Sequence, residues 1–183
     1  MKLNLGCGKT WIPGFVHVDL ADYPHIDYKQ DISKLPFKDM SATYIYCSHA
    51  LEYFDRAEAL LALKEWHRVL KKNGMLRIAV PDFEGIIKVY KKYGDLNHKG
   101  ILGPLYGKMT VKTPSGTKIM YHKTVYDFNS LKLLLKQAGY HDIKRYDWRK
   151  TVHRKIDDCS QAHIPHMNKE NGLLISLNIE AKK

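Results

Sequence analysis

Two glycines near the start of the chain are spaced for a tight backbone turn. Residues 3–8 read LNLGCG, so alternating leucines lead directly into a Gly-x-Gly formed by Gly6 and Gly8. Because glycine has no Cβ, a ligand can approach the backbone more closely there than at other residues. Three kinds of ligand fit this spacing: a phosphate group, a dinucleotide, or a different nucleoside cofactor.

The residues that follow argue against the first two ligands. A phosphate-binding P-loop has the pattern G-x-x-x-x-G-K-[ST], whereas CGKTWIPG follows Gly6. A dinucleotide fingerprint needs a third glycine that opens a helix, and Trp11 stands at that position. Only ten residues separate Gly8 from Asp19, which leaves little room for a helix whose N-terminus could bind a pyrophosphate. A cofactor without phosphates fits better.

The remaining apolar segments alternate between strand and helix patterns, which predicts an α/β sheet protein. Strands are predicted over residues 3–5, 15–20, 26–29, 42–48, 75–81, 141–148 and 173–181. One helix is predicted over 55–71, ended by Asn-Gly at 73–74, and another begins at Asn129 as its N-cap and ends at Gly139.

Length and composition predict one ordinary cytoplasmic domain over residues 1–183. No apolar run approaches the roughly 18 residues of a membrane span, and no secretory signal pattern opens the chain. The three cysteines, Cys7, Cys47 and Cys159, lie far apart without a C-x-x-C pair, so we expect reduced thiols.

The positive charge is concentrated in the second half of the chain. Residues 1–80 carry 11 Lys/Arg and 9 Asp/Glu, whereas residues 81–183 carry 19 and 10, within a net charge of +11. This asymmetry favours an anionic partner for the second half, although a solvated lysine-rich surface explains it equally well.

Five ordered segments resemble the class I S-adenosylmethionine-dependent methyltransferases, particularly their small bacterial-type members. The segments are LNLGCG, HVDL, DISKLPF, YCSHALEYF and EWHRVLKKNGMLRIAVPD. The resemblance implies a Rossmann-like, seven-stranded, mostly parallel sheet with an antiparallel last strand, here with a reduced first crossover helix. It also implies S-adenosylmethionine as the cofactor.

The resemblance implies a cofactor site around the first four strands. Gly6 and Gly8 would admit the methionine and ribose parts, Asp19 would accept hydrogen bonds from the ribose hydroxyls, and Asp31 with Ile32 would contact adenine. Asn4 stands where the family usually has an acidic residue. The full predicted set is Asn4, Gly6, Cys7, Gly8, Asp19, Leu20, Asp31, Ile32, Ser48 and His49.

Two long excursions follow predicted strands that end at the ligand edge of such a sheet. We call residues 82–126 the first excursion and residues 150–172 the second. We expect them to cover the cofactor together and to supply substrate-binding residues, for which we predict Tyr121, His122, Asp157, His163 and His166.

Methyl transfer needs a nucleophile aligned with an activated methyl group, and a base helps if the acceptor is a hydroxyl. We predict His49, Asp82 and His122 as catalytic candidates, although Asp82 is also placed to cap the following helix. His153, His163, His166, Asp157 and Asp158 match no common metal-ligand spacing, so no metal is expected.

The resemblance, together with the basic second half, implies a small anionic acceptor, such as a saccharide or a phosphorylated or nucleotide-linked sugar of a glycan pathway. The N-P-P-[YF] segment of base-amine methyltransferases is absent after the fourth strand, where CSHALEY stands. RNA is the alternative acceptor, since its phosphates would also suit the basic half. A non-catalytic module that binds the cofactor is the second alternative.

Overall fold

A seven-stranded sheet with the order β3-β2-β1-β4-β5-β11-β8 forms the centre of the protein. The computed structural model describes residues 1–97 and 99–183, with the side chains of all of these except Lys99 and His153. The strands are β1 Lys2–Leu5, β2 Val16–Asp19, β3 Tyr28–Lys29, β4 Ala42–Ser48, β5 Leu70–Pro81, β6 Lys108–Thr113, β7 Gly116–Tyr121, β8 His141–Arg145, β9 His163–Ile164, β10 Leu173–Leu174 and β11 Ser176–Lys182. The helices are α1 Arg56–Val69, α2 Phe83–Tyr93, α3 Lys99–Tyr106 and α4 Phe128–Gln137.

The sheet is parallel except for its last strand in sequence. β1 pairs in parallel with β2 and β4, β2 with β3, and β4 with β5, whereas β11 runs antiparallel between β5 and β8. Residues 6–15, all of them described, form turns without a helix between β1 and β2. The predicted fold class is confirmed, and the first crossover helix is missing rather than merely short.

Three predicted boundaries are wrong by a few residues. α1 ends at Val69, and the Asn-Gly at 73–74 lies in the irregular first part of β5, where Asn73 has a φ of 61°. The N-cap of α4 is Asp127 rather than Asn129, because its carboxylate accepts from Ser130 N at 2.8 Å. The closing strand is split at Ile175, whose N–H donates to the Ala162 carbonyl.

α1 shows why the core forms on one face of the sheet. Its buried residues recur at helical spacing, and Trp66, which has no exposed surface, donates its indole N–H to the Ile32 carbonyl at 2.7 Å. This bond holds the segment after β3 against the helix. The predicted cofactor segment at 31–32 is therefore fixed from behind by the core.

The two excursions meet at the carboxyl edge of the parallel strands. The first contains α2, α3 and the β6–β7 hairpin, and the second contains short 3-10 turns and β9. Ile164 of the second excursion packs with Ile86, Val89 and Ile101 of the first. The hairpin reaches back to the end of β2, where Asp22 N–H donates to the Lys112 carbonyl at 2.8 Å. In the described part of the chain, no helix has the length and apolar character needed to cross a membrane.

Candidate functional site

The glycine turn after β1 has the backbone that its sequence predicts. Gly6 and Gly8 have φ angles of 63° and 51°, in the left-handed region that favours glycine. A Cβ at Gly6 would lie 2.3 Å from Ala50 Cβ, so this glycine lets the loop after β4 pack against the turn. A Cβ at Gly8 would meet no atom within 4 Å, so the space beside Gly8 is open.

Asp19 joins the glycine turn to the end of β2. Its Oδ2 accepts from Gly8 N and its Oδ1 from Ala21 N, both at 2.8 Å. The residue is half-buried. Because each carboxylate oxygen can accept two hydrogen bonds, both oxygens keep acceptor capacity for ligand hydroxyls.

Other polar side chains hold the turn in place. Asn4 Nδ2 donates to the Thr10 carbonyl at 3.3 Å, His25 Nε2 donates to the Gly8 carbonyl at 3.0 Å, and His17 Nε2 accepts from Ile12 N at 2.9 Å. The roles of His17 and His25 were missed by sequence reasoning. Only His17 had a local signal, since it stands two residues before Asp19 in HVDL.

The remaining predicted cofactor residues surround this turn, with different exposures. Leu20 lines a groove of about 440 Å³ together with Lys29 and the hairpin tip, residues 113–118. Asp31 is half-buried and caps a turn, because its Oδ1 accepts from Ser33 N at 2.8 Å, while Ile32 is buried in the core. Cys7 is buried against Val111 of the hairpin, and this burial raises the pKa of its thiol to about 12.

These residues fit a nucleoside cofactor without phosphates. The open space at Gly8 lies beside a carboxylate with acceptor capacity, as a ribose diol requires. Ser48 Oγ is buried at the end of β4 without a hydrogen-bond partner among the described residues. No helix N-terminus is available at residues 6–15 for a pyrophosphate.

A buried carboxyl group lies near both predicted catalytic histidines. Glu52 has no exposed surface, and its Oε1 lies 3.4 Å from His49 Nδ1 and 3.8 Å from His122 Nε2. Burial raises the pKa of Glu52 to about 8 and lowers that of His49 to about 3, because it disfavours both charged forms. Burial also lowers the pKa of His122.

The structure therefore brings together two predicted residues and one that sequence reasoning missed. His49 comes from the loop after β4, and His122 from the end of the first excursion. The only sequence signal for Glu52 was its position three residues after His49 in SHALEY. We call Glu52, His49 and His122 the buried trio.

Asp82 makes contacts of another kind. It is the N-cap of α2, where its Oδ1 accepts from Glu84 N at 3.2 Å, and its Oδ2 lies 3.8 Å from Arg145 Nη1. Burial raises the pKa of Asp82. These contacts are those of the helix cap considered from the sequence, and they lead towards β8 rather than towards the trio.

The other predicted substrate residues lie in the two excursions with separate surroundings. Tyr121 is exposed at the end of β7, Asp157 is exposed and 2.7 Å from Lys169 Nζ, and His166 is exposed. His163 is buried and donates from Nδ1 to the Gln161 carbonyl at 2.7 Å. Only His122 of this set belongs to the trio, and the substrate role of the others stays a prediction.

No three His, Cys, Asp or Glu side chains within the described residues are arranged to hold a metal ion. The side chain of His153, which belongs to the segment considered for a metal site, lies outside the described residues.

The sequence matches known proteins over part of its length. The methyltransferase domain family matches residues 12–78. A demethylmenaquinone methyltransferase from Staphylococcus haemolyticus is 32% identical over 117 residues, which cover 62% of this chain and 47% of that protein. The enzyme of the same name from Staphylococcus aureus is 28% identical over 144 residues, covering 77% and 55%. The chain thus spans about half the length of these relatives.

Solved structures share the fold over nearly the whole chain. A SAM-dependent methyltransferase from Thermotoga maritima has a TM-score of 0.56 at 16% identity and covers 100% of this chain and 81% of its own. One from Archaeoglobus fulgidus has a TM-score of 0.57 at 17% identity, covering 99% and 85%. At these identities the likeness concerns the fold, so the chain has the fold of the SAM-dependent methyltransferases to which it is similar.

Proposed function

We propose that this protein transfers the methyl group of S-adenosylmethionine to a small acceptor molecule. The observation that carries the proposal is the hydrogen bond from Gly8 N to Asp19 Oδ2, which holds a carboxylate beside an open glycine turn. When bound, the cofactor supplies an electrophilic methyl group on a sulfonium. Asp19 would bind its ribose hydroxyls, and Leu20 would line its adenosine end.

The chain's own part in the chemistry is to bind, orient and exclude water. The β6–β7 hairpin lies over the end of β2, because Val111 packs with Cys7, Ala21 and Ile26. The hairpin would shield the cofactor from solvent on that side. Such shielding matters because methyl transfer requires an aligned nucleophile in a site that excludes water. His49 and His122 are the candidate proton acceptors if the acceptor loses a proton.

We favour a small anionic acceptor, such as a phosphorylated or nucleotide-linked sugar. The exposed lysines Lys108, Lys112 and Lys118 lie on the hairpin, and their charge supports attraction of a phosphate. We also propose the cytoplasmic location that the sequence predicts.

A quinone-type acceptor is a second candidate, and it is supported by a different observation. The relatives in Staphylococcus are named for demethylmenaquinone. The same hairpin exposes the apolar side chains of Met109 and Ile119, which could contact such a ring. RNA and a non-catalytic role remain alternatives with less support.

A transfer assay with methyl-labelled S-adenosylmethionine tests the proposal. Phosphosugars, nucleotide-linked sugars, demethylmenaquinone and total RNA would be offered separately, and labelled product and S-adenosylhomocysteine would be measured. We expect label in one small-molecule class, and its loss in Asp19→Ala. Label in RNA, with a rate that falls steeply with salt, would favour the RNA alternative. Cofactor binding without turnover on any acceptor would favour the non-catalytic module.

A further inference from the structure

Glu52 is a carboxyl group that the proposed reaction has not yet used. Neither of its oxygens has a hydrogen-bond partner in the described part of the chain, and the residue has no exposed surface. An ionised carboxylate in such a place is strongly disfavoured unless it is paired. Ring nitrogens of His49 and His122 face this carboxyl group. The protonation of the two rings therefore decides whether Glu52 is ionised.

The hydrogen bonds around His49 determine its tautomer. Asn178 Nδ2 donates to the Ser160 carbonyl at 2.8 Å, which turns Asn178 Oδ1 towards Ser176. We assign the single proton of Ser176 Oγ to that oxygen, 3.2 Å away, so that Oγ accepts from His49 Nε2 at 3.0 Å. The Nδ1 of a neutral His49 then presents a lone pair to Glu52.

His122 is oriented in the same sense by one carbonyl. Its Nδ1 lies 2.8 Å from the Pro104 carbonyl oxygen, which can only accept, so Nδ1 carries the proton. The Nε2 lone pair of His122 therefore also faces Glu52 Oε1. Both histidines thus present a lone pair to the same carboxyl group. Only the protonated acid form of Glu52 can donate a hydrogen bond to either lone pair.

The burial of these groups agrees with this assignment. Burial raises the pKa of Glu52 to about 8 and lowers those of His49 and His122, so all three are neutral at pH 7. The other titratable groups whose electrostatics couple to Glu52 have pKa values raised by burial, so they too are uncharged at pH 7: Cys47, Tyr53, Tyr126 and Cys159.

The trio lies beside the proposed cofactor site. Ala50, between His49 and Glu52, packs against Gly6 of the glycine turn. His49 has a φ of 53°, a conformation that is uncommon outside glycine and that concentrates at functional sites. A Cβ at Gly107 would lie 2.8 Å from His122 Nε2, so only a glycine allows the His122 ring to pack this closely against residue 107.

We propose that Glu52 is a positioning residue, a neutral acid that holds one proton between His49 and His122 so that this trio receives the proton lost by an acceptor hydroxyl. The inference rests on the proposed methyl transfer. The acceptor O–H bond breaks, its electron pair stays on the oxygen that takes the methyl group, and the proton forms an N–H bond at His122 Nε2. The trio gains one positive charge, which the Glu52 oxygens face.

Nitrogen NMR of ¹⁵N-histidine protein, together with infrared spectroscopy, tests the proton sharing without cofactor or acceptor. His49→Gln and His122→Gln assign the ring signals. We expect proton-bearing Nε2 in His49 and Nδ1 in His122 at about pH 6, and an infrared band of a protonated carboxyl. Near pH 8 that band should disappear while both rings respond in the same step. Glu52→Gln should abolish both the infrared band and the titration step near pH 8. The control Glu170→Gln, at an exposed residue, should leave the band and the step unchanged.

Three results would overturn the assignment. The first is an ionised Glu52 at about pH 6. The second is that the ring-nitrogen signals of His49 and His122 do not change as Glu52 titrates. The third is stoichiometric Zn²⁺ binding that Glu52→Gln abolishes, which would make the trio a metal site. The wild-type titration decides the matter even if Glu52→Gln does not fold. Affinity for S-adenosylhomocysteine should stay within about twofold in a folded Glu52→Gln. If the wild type binds none, the proposed function fails while the proton-sharing result stands by itself.

Discussion

Gly8 N–H donates to Asp19 Oδ2 over 2.8 Å, so the turn after β1 and the carboxylate that ends β2 form one structural unit. We expect Asp19→Ala to weaken S-adenosylhomocysteine binding by about 1–3 kcal/mol, because charged hydrogen bonds to the ribose are lost. Isothermal titration calorimetry measures the change. Circular dichroism would confirm that the variant is folded.

Asp39→Ala is a matched control for Asp19→Ala. Asp39 forms a surface ion pair with Arg68 Nη1 at 2.6 Å, and such pairs contribute roughly 0–1 kcal/mol to stability. This variant should bind S-adenosylhomocysteine as the wild type does. Equal affinity of folded Asp19→Ala and Asp39→Ala would mean that the cofactor lies elsewhere.

The two glycines of the turn should respond differently to alanine. At Gly6 the new Cβ would lie 2.3 Å from Ala50 Cβ. Gly6→Ala should therefore lower the free energy of unfolding by roughly several kcal/mol. At Gly8 it meets no protein atom, so Gly8→Ala should cost only about 1–2 kcal/mol, for the left-handed backbone.

Ligand binding separates the same pair of variants. The Gly8→Ala methyl group enters the open space that we assign to the cofactor, so affinity for S-adenosylhomocysteine should fall at least about tenfold, or 1.4 kcal/mol. Urea denaturation and calorimetry supply the two numbers. A Gly8→Ala protein with wild-type affinity would show that this space is not used.

Glu52 should make the stability of the protein depend on pH in a definite direction. Its pKa is raised from 4.5 to about 8 in the folded state, so the stability it allows is fully present below pH 4.5 and is lost as pH rises towards 8. Glu52→Gln removes this loss, so the variant should gain on the order of a few kcal/mol relative to wild type between pH 5 and 8.5.

Urea denaturation of both proteins across that range measures the difference. His49 has its pKa lowered to about 3, so its own contribution is lost only as pH falls below 6.5, and the change between pH 6.5 and 8.5 reports on Glu52. A difference in unfolding free energy that does not change with pH would mean that Glu52 ionises normally in the folded protein.

The two excursions should become ordered when the site is filled. Loops that cover binding sites are drawn from the less stable parts of a domain. We predict that S-adenosylhomocysteine with a phosphosugar raises hydrogen-exchange protection in residues 82–126 and 150–172 more than in α1. Equal protection of these segments in every state would leave the basic half as ordinary solvated surface.

The sheet could be predicted because its signals are local. β4 was predicted at its observed bounds, since ATYIYCS combines β-branched and aromatic residues, and β1 differs by only one residue. The ends of α1 and α4 were predicted wrongly because neighbouring residues compete to end a helix. At α4, for example, Asp127 and Asn129 are both suitable N-cap residues. Local sequence does not show which of two acceptable caps the fold will use.

Contacts within the candidate cofactor site could be predicted where the family pattern lies near a strand end. Asp19 and Gly8 met both conditions, and the structure joins them directly. Glu52 met neither, because its meaning depends on His122, which is 70 positions away in sequence and reaches it through the return of the first excursion. Such long-range contacts leave no periodic trace in the chain.

Backbone amide NMR during titration with S-adenosylhomocysteine tests the cofactor site most directly. The account predicts that the signals of Gly6, Gly8, Asp19 and Leu20 shift together and saturate at one ligand per chain. A second groove, of about 390 Å³, lies at the other end of the sheet and is lined by Met75, Asp142 and Lys182 among others. Shifts confined to that groove, or no saturable shift at the glycine turn, would contradict the account.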